Sequence, residues 1–182
     1  MLAVAAVVQG CAPLVVAGAG TAAVAAHDRR TVGAFIDDQA IELKAATAIR
    51  TDETLAPEVH INVTSMNGIV LLTGEAPTAE LRDRVLAKVR EIDGIRRVVN
   101  EIRIAPPSPL SARTHDGWIT AKVKTRLMHT EKIDSTRVKV VTENDVVYLM
   151  GLVTRAEGET ASAAAAKVGG VARVVKLFEY LD

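Results

Sequence analysis

Hydrophobic residues recur with a helical period in two separate stretches of the chain. Ile41, Ala45 and Ile49 lie four positions apart, as do Ile119, Val123 and Leu127. Residues at this spacing share one face of an α-helix. Each stretch therefore predicts a helix whose apolar side packs on a core.

Shorter runs that alternate between apolar and polar residues follow each helix and predict β-hairpins. Residues 61–63 and 69–72 flank Asn67-Gly68, and residues 138–140 and 146–149 flank Asn144-Asp145. Asn, Asp and Gly tolerate the positive φ of a tight hairpin turn. A second helix is expected in each half, over residues 81–89 and 161–168, followed by a glycine cap and a last strand.

The two halves read as two copies of one unit. Asp38 matches Asp116 at an offset of 78 residues, and Gly94 matches Gly170 at an offset of 76. We predict an α+β protein of two tandem αββαβ units, each a three-stranded mixed sheet with two helices packed on one face. The first unit is assigned to residues 37–105 and the second to 115–182, joined by a proline-rich linker over 106–114.

Composition and charge limit the functional classes to which the protein can belong. Lys and Arg number 22, as do Asp and Glu, and this balance argues against a nucleic-acid binder. The four histidines are scattered, there is one cysteine, and no nucleophile or phosphate-loop motif occurs. We therefore expect no enzyme, no cofactor and no metal. Asp38 and Asp116 are expected to cap the N-termini of their helices.

The N-terminal 26 residues carry no charge, and Val8-Gln9-Gly10-Cys11 resembles a bacterial lipobox. That resemblance implies a signal peptide over residues 1–10 and acylation of Cys11, including palmitate. It leaves residues 11–36 as an Ala/Gly-rich tether, and Ala12 in place of Asp favours the outer membrane. The alternative is an uncleaved, Ala-rich anchor helix that happens to contain a cysteine.

The repeat resembles the BON domain. The segments that carry the match include INVT at 61–64, VNEIR at 99–103, VTEN at 141–144 and LMGLVT at 149–154. Two such units behind a lipobox are similar to the tandem-BON outer-membrane lipoproteins of Gram-negative bacteria. The resemblance implies a lipid-anchored protein that faces the periplasm and supports outer-membrane integrity, including at division sites.

Trp118 departs from the apolar pattern of its helix. On a helical wheel it points roughly 140° away from the centre of the stripe formed by Ile119, Val123 and Leu127. A Trp beside cations suits a membrane interface. The alternative is that Trp118 packs between the two units. The first unit has Ala40 at the equivalent position.

The BON resemblance assigns binding of anionic phospholipid, such as phosphatidylglycerol or cardiolipin, to this helix. The residues expected to form the site are Trp118, Thr120, Lys122, Lys124, Thr125, Arg126 and His129. The first unit is expected to contact an envelope protein. The alternative function is that of the soluble periplasmic tandem-BON stress proteins, which act as protein-interaction or chaperone-like modules.

Overall fold

The computed structural model describes residues 31–182. Cys11, the predicted signal peptide and most of the predicted tether lie outside the described residues. None of the helices within residues 31–182 combines the length and the apolar character needed to span a bilayer.

The order αββαβ occurs twice, as predicted. The first domain consists of α1 (Val32–Arg50), β1 (His60–Met66), β2 (Ile69–Ala76), α2 (Ala79–Arg90) and β3 (Arg97–Ile104). The second consists of α3 (Leu110–Met128), β4 (Lys139–Glu143), β5 (Val146–Val153), α4 (Arg155–Ala166) and β6 (Arg173–Tyr180), with a short 3-10 helix, Ser135–Arg137, before β4.

Each sheet is mixed, with the middle strand antiparallel to the first and parallel to the last. Both central turn residues of each hairpin have positive φ: 52° and 72° at Asn67 and Gly68, and 49° and 61° at Asn144 and Asp145. This is the geometry that suits the right-handed twist of the flanking strands. The predicted hairpins and their turn positions are therefore confirmed.

The first helix of each domain begins earlier than the sequence pattern indicated. The α1 helix follows Thr31, whose hydroxyl accepts a hydrogen bond from the Ala34 N–H at 3.1 Å, so its first turn lies inside the segment predicted as tether. The α3 helix follows Pro109 and takes up the end of the predicted linker. Proline is compatible with a helix start for two reasons. Its ring fixes φ near the helical value, and the N–H that it lacks would have no acceptor within the helix at that position.

The prediction that Asp38 and Asp116 are helix N-caps is wrong. Both lie within their helices and are buried. Asp38 accepts backbone hydrogen bonds from Asn67 at 2.7 Å and Gly68 at 2.9 Å, and Asp116 does the same for the equivalent turn of the second domain. The carboxylates thus satisfy the N–H groups of a hairpin turn rather than those of a helix end.

The two helices of each domain cover one face of its sheet. In the first domain Ile41, Ala45 and Val85 pack against Val70 and Leu72 of β2, and the second domain has the equivalent core. The two-residue alternation of a strand places the intervening side chains on the opposite face.

Those opposite faces of the two sheets pack on each other. Met66, Ile69 and Leu71 of the first domain form one buried cluster with Tyr148 and Met150 of the second. The layer order is therefore helices, sheet, sheet, helices. The first helix of each domain reaches the edge of this contact, where Phe35 of α1 and Met128 of α3 line one groove.

Hydrogen bonds between side chains of the two domains fix how the two sheets face each other. Asn67 donates to Glu179 at 2.7 Å, and Lys139 donates to Glu42 at 2.6 Å. Each bond joins one domain to the other, so the tandem units are packed together as one body.

Candidate functional site

The α3 helix presents a buried side and an exposed side. Ile119, Val123 and Leu127 are at most 1% exposed and form the core of the second domain. Trp118 is 61% exposed. The side-chain directions predicted from the helical wheel are therefore confirmed, and the alternative that Trp118 packs between the domains is excluded.

The indole ring of Trp118 is held by two neighbouring side chains on the same helix. The Lys122 ammonium lies 3.8 Å from the ring centroid, in cation–π contact, and donates to the Gly169 carbonyl. The His115 ring centroid is 6.5 Å from that of Trp118. Lys122 thus connects α3 to the turn after α4 while its charge stays beside the exposed ring.

A shallow depression of about 570 Å³ lies next to Trp118 and opens broadly to solvent. Its lining residues are Trp118, Ala121, Lys122, Thr125, Arg126, His129 and Val168. The lining contains two cations and no carboxylate. The surface is therefore basic and apolar together, without an acidic neighbour to neutralise it.

Five of the seven predicted site residues meet at this surface, and two do not. The Thr120 hydroxyl donates to the Thr142 hydroxyl of β4 at 2.8 Å, on the side of the helix that faces the sheet. Lys124 lines a different groove, next to Phe35 and Met128. Thr120 and Lys124 come two and six residues after Trp118, and at 100° per residue both side chains point well away from that of Trp118. The structure therefore places Thr120 and Lys124 on other faces of α3 than Trp118.

His129, near the end of the surface, is oriented by its own helix. Its Nδ1 lies 2.8 Å from the carbonyl oxygen of Thr125, so Nδ1 carries the hydrogen and donates. This bond satisfies one of the last carbonyl groups of the helix.

Two further apolar side chains of α3 are exposed and were not predicted from the sequence. Leu110 is 77% exposed and Met128 is 63% exposed. Met128 lies one residue after the last core position, so the helical wheel already indicated its exposure. Leu110 was missed because the helix was expected to begin after it.

The first domain offers a different surface at the equivalent helix. Val32, Ile36 and Leu43 are each at least 60% exposed and lie along one line of α1. Ala40 stands where the second domain has Trp118. The two outer helices have therefore diverged in surface chemistry while keeping the same fold.

The model of the BON domain matches residues 37–106 and again residues 115–182. The chain belongs to the BON domain family. The two matched segments correspond to the two αββαβ units of the structure, so the predicted fold and family are confirmed.

Three relatives extend this finding. The chain is 36% identical to "Outer membrane lipoprotein DolP" of Haemophilus influenzae, over 96% of this chain and 90% of that protein. It is 34% identical to "21 kDa hemolysin" of Actinobacillus pleuropneumoniae, over 85% and 80% of the two chains. It is 27% identical to "Osmotically-inducible protein Y" of Escherichia coli, over 79% and 72%.

The similarity to an outer-membrane lipoprotein over nearly the whole chain confirms the predicted localisation, lipid-anchored at the outer membrane. None of the three relatives is named as an enzyme.

Proposed function

We propose that this BON protein is a non-enzymatic outer-membrane lipoprotein that binds anionic phospholipid through the exposed side of α3. By this binding it supports outer-membrane integrity and gathers where such lipids concentrate, including division sites. The observation that carries the proposal is the exposed Trp118 ring with Lys122 in contact and Arg126 beside it.

The surface has the chemistry that a membrane interface selects. An indole ring places its apolar body at headgroup depth, and each nearby cation contributes about 1 kcal/mol on an anionic bilayer. Lys122 and Arg126 therefore supply about 2 kcal/mol together. This is weak and reversible binding, and it serves as a second signal beside a lipid anchor.

Trp118 is the chain's single tryptophan, so its fluorescence reports directly on the proposed contact. We would titrate the full chain carrying Cys11→Ala, which removes the acylation site, with vesicles of phosphatidylcholine alone or with phosphatidylglycerol or cardiolipin. The expected result is a blue shift and co-flotation with the anionic vesicles alone. Equal binding to both vesicle types would refute the proposal.

Leu43 provides a matched control, because it is 66% exposed on the equivalent helix of the first domain. Trp118→Ala removes a ring whose partial burial in the interface stabilises binding by about 2 kcal/mol, which is about 30-fold in affinity. Leu43→Ala is expected to leave vesicle binding unchanged. A similar loss in both variants would mean that general apolar exposure, and not the α3 surface, drives binding.

We also propose that the first domain contacts an envelope protein. The exposed apolar line of Val32, Ile36 and Leu43 supports this, since it lacks the Trp and the paired cation of α3. In a periplasmic cross-linking experiment, Ile36→Glu is expected to remove the protein adduct while vesicle binding persists. Adducts that persist in Ile36→Glu would exclude this surface.

A further inference from the structure

A polar cluster lies between the two sheets, apart from the α3 surface. Nδ1 of His60 is 3.0 Å from Oε2 of Glu75 and 3.9 Å from Oε1 of Glu143. His60 and Glu75 are paired across β1 and β2, whereas Glu143 ends β4 of the other domain. One potential ligand atom from each of the three side chains lies within 4.8 Å of the others.

The cluster carries more negative charge than its surroundings balance. Glu75 is 1% exposed and Glu143 is 4% exposed. Within residues 31–182, His60 is the only basic side chain that forms an ion pair with either carboxylate. Arg113 lines the adjacent cleft, but its Nε donates to the Ser108 hydroxyl at 3.3 Å. Two buried carboxylates thus share one imidazole.

Hydrogen bonds from other residues fix both carboxylates in place. Asn144 donates to Oε1 of Glu75 at 2.6 Å, and the Ser108 N–H donates to Oε2 at 3.0 Å. Asn62 and Thr73 both donate to Oε2 of Glu143, at 2.7 and 3.2 Å. Side chains held in this way by outer partners are typical of metal ligands.

The second oxygen of Glu143 is left for another ligand. In the described part of the chain, Oε1 of Glu143 accepts no hydrogen bond, and the basic side chain nearest to it is His60 at 3.9 Å. A cleft of 480 Å³ reaches both His60 and Glu143.

We propose that His60, Glu75 and Glu143 bind a divalent transition-metal ion of the zinc class between the two domains. One imidazole nitrogen and two carboxylate oxygens are ligands that zinc takes, and water from the cleft completes the coordination. Ligands about 2.0–2.2 Å from a tetrahedral ion are roughly 3.3–3.5 Å apart. The observed separations of 3.0 and 3.9 Å lie on either side of this value.

Binding has two consequences that can be measured. The ion takes the place of the hydrogen between Nδ1 and Glu75, and the neutral imidazole then carries its one hydrogen on Nε2, so the ring changes tautomer. Since His60 and Glu75 belong to the first domain and Glu143 to the second, the ion also joins the two domains. It therefore stabilises the folded, packed chain by mass action.

The test is calorimetric titration of the chelator-treated full chain carrying Cys11→Ala with ZnCl2, and separately with MgCl2. We expect one zinc ion per chain with a Kd in the micromolar range or tighter, a rise in Tm, and no response to magnesium at the same concentrations. Magnesium binding of equal affinity would overturn the assignment to the zinc class, because an imidazole ligand disfavours magnesium.

Variants locate the ion. Glu143→Gln is expected to weaken zinc binding at least 10-fold and to remove the Tm response. Glu42→Gln is the matched control: it alters the interdomain ion pair with Lys139 but not the cluster, and zinc affinity should stay within about twofold.

Two results would overturn the proposal. One is the absence of zinc binding to the parent chain, which would mean that the cluster is held by a shared proton alone. The other is zinc binding that persists unchanged in both Glu143→Gln and His60→Gln, which would place the ion at surface histidines. The parent-chain titration decides the first without depending on the folding of any variant.

Discussion

Reversing the charge of Arg126 tests the electrostatic part of the proposed lipid contact. Arg126 is exposed, lines the depression beside Trp118 and forms no ion pair within the described residues. Arg126→Glu should therefore leave the folded state intact, with Tm within about 1 °C of the parent, since surface changes of this kind alter stability by at most about 0.5 kcal/mol.

The loss of lipid affinity can be calculated from the charge change. Removing one cation near an anionic surface weakens binding by about 1 kcal/mol, and placing an anion there weakens it by about the same amount again. The total of about 2 kcal/mol corresponds to a decrease of about 30-fold in the partition coefficient. Exposed charges are screened over about 10 Å at 0.1 M salt. The difference in partition coefficient between the parent and Arg126→Glu should therefore shrink as the salt concentration is raised.

The assay is a titration with phosphatidylglycerol vesicles at low and high salt, with Lys44→Glu as the control. Lys44 is exposed on α1 and is the repeat equivalent of Lys122, so this control makes the same net-charge change on the other domain. If Lys44→Glu reduced binding as much as Arg126→Glu, the net charge of the protein would be responsible. A decrease of less than twofold in Arg126→Glu would refute the charge argument.

Three further predictions concern stability, each read from the Tm and from chemical unfolding. Gly117→Ala should stabilise the chain by about 0.5–1 kcal/mol, because Gly117 lies inside α3 with open space around a new Cβ. Gly74→Ala should destabilise it by about 3 kcal/mol or more, since Gly74 has φ +112° and its Cβ would lie 2.0 Å from the carbonyl oxygen of His60; an unchanged Tm would contradict the described backbone. Hydrogen bonds from Lys88 and Thr54 hold the pKa of Asp52 below its ordinary value, so its stabilising effect is present above about pH 4 and is lost as pH falls below that. Asp52→Asn should accordingly be less stable than the parent at pH 6, and the difference should narrow below pH 4; a constant difference would exclude the ionic origin.

Local sequence chemistry was sufficient to predict the order of the helices and strands and the positions of the hairpin turns. Asn67-Gly68 and Asn144-Asp145 specify the turn because few other residues adopt positive φ readily. The outward direction of Trp118 followed from helix geometry alone. The same geometry separates Thr120 and Lys124 from Trp118, so their position on other faces of α3 was predictable from the sequence.

Features that depend on contacts between distant segments could not be predicted in this way. Asp38 was expected to cap a helix because its partners, the N–H groups of the Asn67-Gly68 turn, are about 30 residues away and are brought near by packing. The polar cluster likewise joins Glu75 and Glu143 from different domains. The sequence contains one indication of this cluster. Thr73 and Glu75 are two residues apart on the central strand β2, so both side chains lie on the face opposite the helices. That face meets either solvent or another sheet.

The packing of the sheets and the predicted anchor at Cys11 together explain how the proposed lipid contact can be weak and still suffice. Because the sheets pack face to face, the Trp118 side of α3 remains exposed and free to meet a membrane. Cys11 and Thr31 are 20 residues apart, so the start of α1 lies at most about 70 Å from the acylation site, whatever the conformation between them. A chain held within that distance of a bilayer meets it at a high effective concentration, and a second contact of only a few kcal/mol then changes its position strongly. Under the proposed function, acylation keeps the protein at the membrane, and the composition of the lipid beneath α3 determines where it stays longest.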